Sequence, residues 1–344
     1  MSRHINPQAQ LTRLGIAALA LTLVAGCSSN PVDAPPPTIE PARAADSPPV
    51  TAAPPGVVWP MAGAALAAVF DAATASLLVL SPGPDGSAVT VVAESGAQRP
   101  VELADPATAI AGDDDGWAYL STRGGYYRLD IATADVTKVE VEGREGVDFT
   151  AIARRGDGRL VLGSADGTVY TLTSENTVGA QLKTFARVDA LVTQGDTAVV
   201  LDRGQTSVTS LNADGTKSEH ALRAGEGATM MAADGAGRVL VTDTRGGELL
   251  VYGVNPLILR QRYPVPDAPY AVAGSRDDDG LAWVAQTATN TVVGYDLSTG
   301  IPVEKVRYRT VQQPNSLAFD DASGTLYVVS GAGAGVQVIT GAAK

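Results

Sequence analysis

The stretch DDDGWAYLSTRGGYYRLD (Asp113–Asp130) has a counterpart in DDDGLAWVAQTATNTVVGYD (Asp277–Asp296). In both copies an acidic turn ending in glycine precedes a short apolar strand, a tight turn and a strand with alternating apolar residues. The two copies begin 164 positions apart, which is four times 41. The pair therefore indicates a repeat of about 41 residues on which the rest of the chain can be aligned.

Seven such units follow one another along the chain. Each contains a first short strand, a turn with Asp and Gly, an apolar second strand, a tight turn and a third strand, and most add a more polar fourth strand. Four strands in about 41 residues are typical of a propeller blade, so we predict an all-β, seven-bladed β-propeller of four-stranded blades. The aligned second strands are SLLVLS, GWAYLS, GRLVLG, DTAVVLD, GRVLVT, GLAWVA and GTLYVV, which begin at Ser76, Gly116, Gly158, Asp196, Gly237, Gly280 and Gly324.

The last unit ends at Lys344 after only three strands. An unpaired strand edge inside a ring is a liability that folded proteins avoid. The residues just before the first blade, GVVWP (Gly56–Pro60), are apolar enough to supply a strand. We therefore predict that Val57, Val58 and Trp59 pair into the last blade and close the ring.

The N-terminus has the features of a bacterial export signal. Arg3 and Arg13 precede the apolar run LGIAALALTLVAG (Leu14–Gly26), which is shorter than the ~20 residues of a membrane-spanning helix. The run ends in VAGC, which resembles a lipobox, and Cys27 is the only cysteine in the chain. We predict a lipoprotein signal peptide over residues 1–26 and acyl chains such as palmitate on Cys27. The alternative is an ordinary signal peptide and a chance cysteine.

Composition divides the remainder into two parts. Residues 27–56 are rich in Pro and Ala and contain almost no large apolar side chains, which predicts a disordered tether. Residues 57–344 form the predicted propeller. The formal charge is −12, and loss of the signal with Arg3 and Arg13 brings it nearer −14. This excess of acid excludes nucleic acid as a partner, because nucleic-acid binding requires a basic face.

Two units carry a family resemblance. LAWVAQTATNTVVGYDLSTGIPVEKV (Leu281–Val306) and NSLAFDDASGTLYVVSGAGAGVQVI (Asn315–Ile339) resemble YVTN-type propeller repeats, and DGAGRVLVTDTRGGELLVYG (Asp234–Gly253) is closer to NHL-type repeats. Together with the lipobox, the chain resembles the propeller lipoproteins of actinobacterial envelopes. The resemblance implies a fold and an extracytoplasmic, membrane-anchored location, and no reaction, because propellers serve many functions.

The candidate site is the mouth of the central channel. Residues that enter the first strands should line it, and they form a polar ring with one carboxylate, Asp189. Calcium usually requires several carboxylates, so we predict no metal and no cofactor. The ring's hydroxyls should instead satisfy backbone groups at the turns between blades. The ring residues are Thr108, Thr150, Asp189, Thr229, Tyr270 and Asn315.

Three turns between second and third strands open on the same face and carry Arg123, Arg203 and Arg245. We expect Arg203 and Arg245 to be neighbours, where two guanidinium groups could hold a carboxylate or phosphate. With Asp189 and Asn315, the three arginines are the candidate ligand-binding residues. The alternative is that they are solvated and pair with Asp202 and Asp243.

The sequence favours a lipid-anchored, non-catalytic binding or scaffold module that contacts an envelope protein or a small anionic ligand. The alternatives are a metal-dependent, lactonase-like hydrolase at the channel mouth and a sensor of an anionic small ligand. Only His220 remains as a histidine in the mature chain, and it lies in a predicted outer strand, so no Ser-His-Asp triad is expected. The two acidic triplets should be exposed turns on the opposite face, too far apart to share an ion.

Overall fold

The seven-bladed propeller predicted from the repeat is confirmed by the computed structural model, which describes residue 1 and residues 37–83 and 85–344. The predicted signal peptide, Cys27 and the first part of the predicted tether lie outside these residues. The described strands form seven antiparallel sheets of four strands each. The first strand of each blade contacts the first strands of both neighbours, including β26 with β2, so the sheets form a closed ring.

Each blade runs from a first, innermost strand to a fourth, outermost strand. Blade 1 consists of β2 (Ala67–Asp71), β3 (Ser76–Pro82), β4 (Ser87–Ala93) and β5 (Gln98–Leu103), blade 2 of β6 (Ala107–Gly112), β7 (Trp117–Thr122), β8 (Gly125–Asp130) and β9 (Val136–Glu140), and blade 3 of β10 (Phe149–Arg154), β11 (Leu160–Ser164), β12 (Thr168–Leu172) and β13 (Val178–Lys183). Blade 4 consists of β14 (Ala190–Gln194), β15 (Thr197–Asp202), β16 (Ser207–Leu211) and β17 (Ser218–Arg223), and blade 5 of β18 (Ala228–Ala233), β19 (Arg238–Asp243), β20 (Glu248–Val254) and β21 (Leu257–Pro264). Blade 6 consists of β22 (Pro269–Gly274), β23 (Ala282–Gln286), β24 (Thr291–Asp296) and β25 (Val303–Arg309), and blade 7 of β26 (Pro314–Asp320), β27 (Thr325–Ser330), β28 (Val336–Ile339) and β1 (Val57–Trp59).

The hydrophobic core is divided into layers that lie between neighbouring blades. In β15, Val199 and Leu201 pack in the layer shared with blade 5, whereas Ala198 and Val200 pack in the layer shared with blade 3. Because successive side chains of a strand point to opposite faces, a blade that is covered on both faces needs apolar residues at consecutive positions. This is why the second strands are apolar throughout rather than alternating.

Ring closure follows the predicted arrangement. Strand β1 pairs antiparallel with β28, with Val57 opposite Val338 and Trp59 opposite Val336. The centroids of the Trp59 and Tyr327 rings lie 6.1 Å apart. The N-terminal strand therefore completes the blade that the C-terminus leaves one strand short.

Residues 37–56 differ from the expectation of a disordered tether. Residues 38–55, which we call the strap, contain no strand but lie in extended form against blades 4 to 7. Ala42 in the strap is 7% exposed, and a Cβ placed on Gly227 would lie 2.9 Å from the Ala42 Cβ. The strap crosses the face that carries the connections between blades and the turns between second and third strands, which we call the upper face.

The acidic triplets occupy turns of the opposite, lower face, as expected, but their surroundings differ from the prediction. Asp277 to Asp279 are exposed, whereas Asp114 is half-buried, and its carboxylate forms an ion pair with Arg276 from the turn of blade 6. Burial raises the pKa of Asp114, and Arg276 opposes that shift. The Arg276 side chain reaches from the turn of blade 6 to the turn of blade 2. The two turns therefore lie within the length of one arginine side chain of each other.

The buried Gln337 provides a test of ring closure. Its amide donates to the carbonyls of Pro55 and Arg309 at 2.9 and 3.0 Å and accepts from the N–H of Val311 at 3.1 Å. Gln337→Leu should lower the free energy of unfolding by about 2–3 kcal/mol, because it leaves buried main-chain groups unpaired. Chemical denaturation measures this change.

Gln181→Leu is the matched control, because Gln181 is exposed in the outer strand β13. It should change the free energy of unfolding by less than about 0.5 kcal/mol. Equal stability of the two variants would mean that Gln337 plays no part in closing the ring.

Candidate functional site

Two hydroxyl groups of the predicted polar ring connect neighbouring blades, and a third bonds within its own blade. The Thr108 hydroxyl donates to the Phe149 carbonyl at 2.7 Å, and the Thr150 hydroxyl donates to the Val188 carbonyl at 2.5 Å. The Thr229 hydroxyl is bonded to that of Thr244 at 2.6 Å. The Tyr270 side chain is half-buried. The contacts of Thr108 and Thr150 are of the structural kind that the sequence indicated, since they satisfy main-chain carbonyls at the blade junctions.

The carboxylate of Asp189 orders the turn that carries Arg203. One of its oxygens accepts from the Arg203 N–H at 2.8 Å, and the other accepts from Nε of Arg187 at 3.0 Å. On blade 7, the amide oxygen of Asn315 accepts from the side chain of Gln313 at 3.0 Å. Both predicted polar residues therefore hold neighbouring groups of the upper face in place.

The structure brings two of the three candidate arginines together at the strap. Arg203 donates to the carbonyl of Ala42, and Arg245 donates to the carbonyl of Glu40 at 2.7 Å. Arg123 does not share in this contact. It lies 3.4 Å from Asp148 on the surface, with both side chains well exposed.

Asp202 and Asp243, which the alternative interpretation paired with the arginines, have a different role. Asp202 is buried and accepts from the N–H groups of Ala186 and Gln205 at 2.8 and 2.9 Å. Asp243 is also buried and accepts from the N–H groups of Glu226 and Gly227 at 2.7 and 2.8 Å. The N–H groups of Ala186, Glu226 and Gly227 lie 16 or 17 residues upstream of the carboxylates they donate to, so each carboxylate fixes the connection that enters its own blade. The guanidinium groups are left for the strap.

The rest of the strap is held by side chains that the sequence did not single out. The Thr287 hydroxyl accepts from the Ala45 N–H at 3.1 Å. The Gln313 amide accepts from the Ser47 N–H and donates to the Ala45 carbonyl, both at 3.0 Å. Thr287 and Gln313 lie in the polar turns TATN (Thr287–Asn290) and QQPN (Gln312–Asn315). The polar character of these turns was the only feature of the sequence that pointed to them. Gln312, Asn290 and Gln337 donate to the carbonyls of Ser47, Pro48 and Pro55.

Three features bear on the competing classes of function. Within residues 37–83 and 85–344, no group of three His, Cys, Asp or Glu side chains is placed to hold a metal ion. His220 is exposed in the outer strand β17. The described part of the chain has no helix long and apolar enough to cross a membrane.

The fold is shared with solved propeller structures of varied function. Streptogramin B lyase aligns with a TM-score of 0.67 at 10% identity, covering 83% of this chain and 97% of that one. The hydrazine synthase of Kuenenia stuttgartiensis aligns with a TM-score of 0.67 at 13% identity, covering 82% and 96%. U3-55K aligns with a TM-score of 0.69 at 13% identity, covering 81% and 96%. Identities this low establish the fold alone.

No family model and no curated protein sequence matches the chain. The likeness to YVTN- and NHL-type repeats therefore stays a prediction. The class that the structure defines is the seven-bladed β-propeller.

Release of the strap can be measured by proteolysis after the exposed Arg43. The double variant Arg203→Ala, Arg245→Ala removes two hydrogen bonds from charged donors, which are worth ~1.5–3 kcal/mol each when buried and less here. Trypsin should cleave after Arg43 about tenfold faster than in the unaltered chain, because cleavage follows the population of the open form. Mass spectrometry of the shortened product gives the rate.

The matched control is Arg123→Ala, which removes an arginine from an equivalent turn that does not touch the strap. Its cleavage rate after Arg43 should equal that of the unaltered chain. A double variant that is cleaved no faster than this control would show that the two arginines do not hold the strap.

Proposed function

We propose that the chain is a lipid-anchored propeller of the cell envelope that acts as a non-catalytic binding module through its upper face. The observation that supports this role is the way the strap is bound. At least nine of its main-chain N–H and C=O groups, from Ile39 to Pro55, are hydrogen-bonded to blades 4 to 7. The upper face therefore has the donors and acceptors needed to bind an extended polypeptide.

The main chain, rather than particular side chains, provides most of these contacts. Ser47 is the exception, since its hydroxyl donates to the Thr287 carbonyl at 2.6 Å. Main-chain hydrogen bonds supply affinity in many modes of peptide recognition, whereas pockets for side chains supply specificity. A face that binds polypeptide in this way suits a scaffold that holds an extended segment of an envelope protein.

The proposed anchor at Cys27 lies close in sequence to this face. Ten peptide units separate Cys27 from residue 37. Fully extended, they span about 35 Å at most. With the strap bound, an acylated Cys27 would keep the upper face within that distance of the membrane surface.

The anchor is tested with Cys27→Ala in the producing cell. The unaltered chain should fractionate with the membrane and label with a clickable palmitate analogue, because acyl chains of this length hold a protein at a bilayer. Cys27→Ala should lose the label. An unlabelled unaltered chain would contradict the lipoprotein assignment.

The binding role is tested with a photo-crosslinking amino acid at Glu226, an exposed residue of the upper face that lies outside the strap and beside Arg245. The control carries it at Asp278, an exposed position on the lower face. Illumination of living cells should produce a discrete adduct from position 226 that is absent from position 278. Identical adduct patterns at the two positions would contradict a partner-binding upper face.

A further inference from the structure

The two positively charged arginines that hold the strap donate their hydrogen bonds to uncharged main-chain carbonyl groups. Arg203 and Arg245 donate to the carbonyls of Ala42 and Glu40, and Arg245 also donates to the Glu226 carbonyl at 3.0 Å. Among the described residues, neither guanidinium group lies within 4 Å of a carboxylate. Nε of Arg203 is buried and has no hydrogen-bond partner in the described part of the chain.

A carboxylate would satisfy these groups better than the strap does. A guanidinium group presents its donors in a planar fork that matches the two oxygens of a carboxylate. A hydrogen bond from a guanidinium group to a carbonyl carries charge on the donor alone, whereas a carboxylate adds direct charge attraction and can form two parallel bonds. A half-buried cation whose partner is a carbonyl also lacks a compensating charge. The strap is therefore a suboptimal occupant at the Ala42 position.

The remaining contacts specify the form of the ligand. The Ile39 N–H donates to the Gly204 carbonyl at 2.8 Å, and farther along the strap Thr287 and Gln313 bind the main chain of Ala45. Alternating donors and acceptors of this kind fit an extended chain. At Ala42 only a small side chain fits, because this residue packs on Gly227.

We propose that the upper face is a binding site for an extended peptide that presents a carboxylate to Arg203, and that the strap occupies this site until such a peptide replaces it. This inference rests on the proposed binding function and names its ligand class and its regulation. Because the strap belongs to the same chain, its effective concentration is high, on the order of millimolar for a short flexible connection. A free peptide therefore competes poorly unless it is more strongly bound or the strap is weakened.

The strap can be weakened without altering a blade. Ala42→Leu places a larger side chain where Ala42 packs on Gly227, and the affected residue lies in the strap itself. Ala52→Leu is the matched control, because Ala52 is an exposed strap residue. Both variants are made in the chain from Ser28 onward, and faster trypsin cleavage after Arg43 verifies release in the first variant alone.

The probes are two hexapeptides with the sequence of residues 37–42, Pro-Thr-Ile-Glu-Pro-Ala, one with a free C-terminal carboxylate and the other with a C-terminal amide. The free carboxylate falls where the Ala42 carbonyl lies. NMR titration measures both affinities, including the millimolar range. On Ala42→Leu the acid should bind about tenfold more tightly than the amide. Addition of Arg203→Ala should abolish that ratio, and Ala52→Leu should bind both peptides more weakly than Ala42→Leu.

Equal binding of acid and amide would overturn the carboxylate assignment while leaving a peptide-binding face intact. Failure of both peptides to bind the released Ala42→Leu chain would overturn the whole inference. The proposed function is judged separately, by the crosslinks at position 226 in cells. A partner crosslinked there, combined with no peptide binding, would identify a binding module for another class of ligand.

Discussion

Closure of the ring by β1 is the constraint on which the rest of the structure depends. Each blade buries apolar side chains on both faces, so no blade is stable without both neighbours. Blade 7 is built from the two ends of the chain, and β1 supplies its outer strand. Gln337 in β28 also holds the segment just before β1, by donating to the Pro55 carbonyl. The strap ends at residue 55, just before the closing strand begins, so its path over the upper face is fixed at that end by the same contact.

The repeat made most of the fold predictable from the sequence. Blade register depends on local signals, namely Asp-containing turns and consecutive apolar residues, and the apolar second strand survives in every unit. The closing strand was predictable too, because a blade with three strands needs a fourth and Val57, Val58 and Trp59 were the apolar residues at the other end. In both cases a requirement of the fold could be matched to a short stretch of sequence.

The strap was not predictable by the same reasoning. Composition measures the apolar side chains that a segment can bury, and residues 37–56 have few. The strap is held instead by hydrogen bonds to its main chain, which leave no mark on its own sequence. Arg203 and Arg245 bond strap carbonyls two residues apart, whereas Asp202 and Asp243 accept from N–H groups 16 and 17 residues upstream. Only the folded chain shows which of several polar partners a short side chain reaches.

The position of the strap couples the proposed anchor to the proposed binding site. With the strap bound, ten peptide units separate Cys27 from residue 37, where the chain meets the propeller. When the whole strap is released, about thirty peptide units separate Cys27 from the start of β1 at Val57. The maximum reach of the tether then grows from about 35 Å to about 100 Å, at 3.3–3.6 Å per residue. A ligand that displaces the strap would therefore also free the propeller to move away from the membrane. Binding and reach are linked because one segment both fills the site and forms the tether.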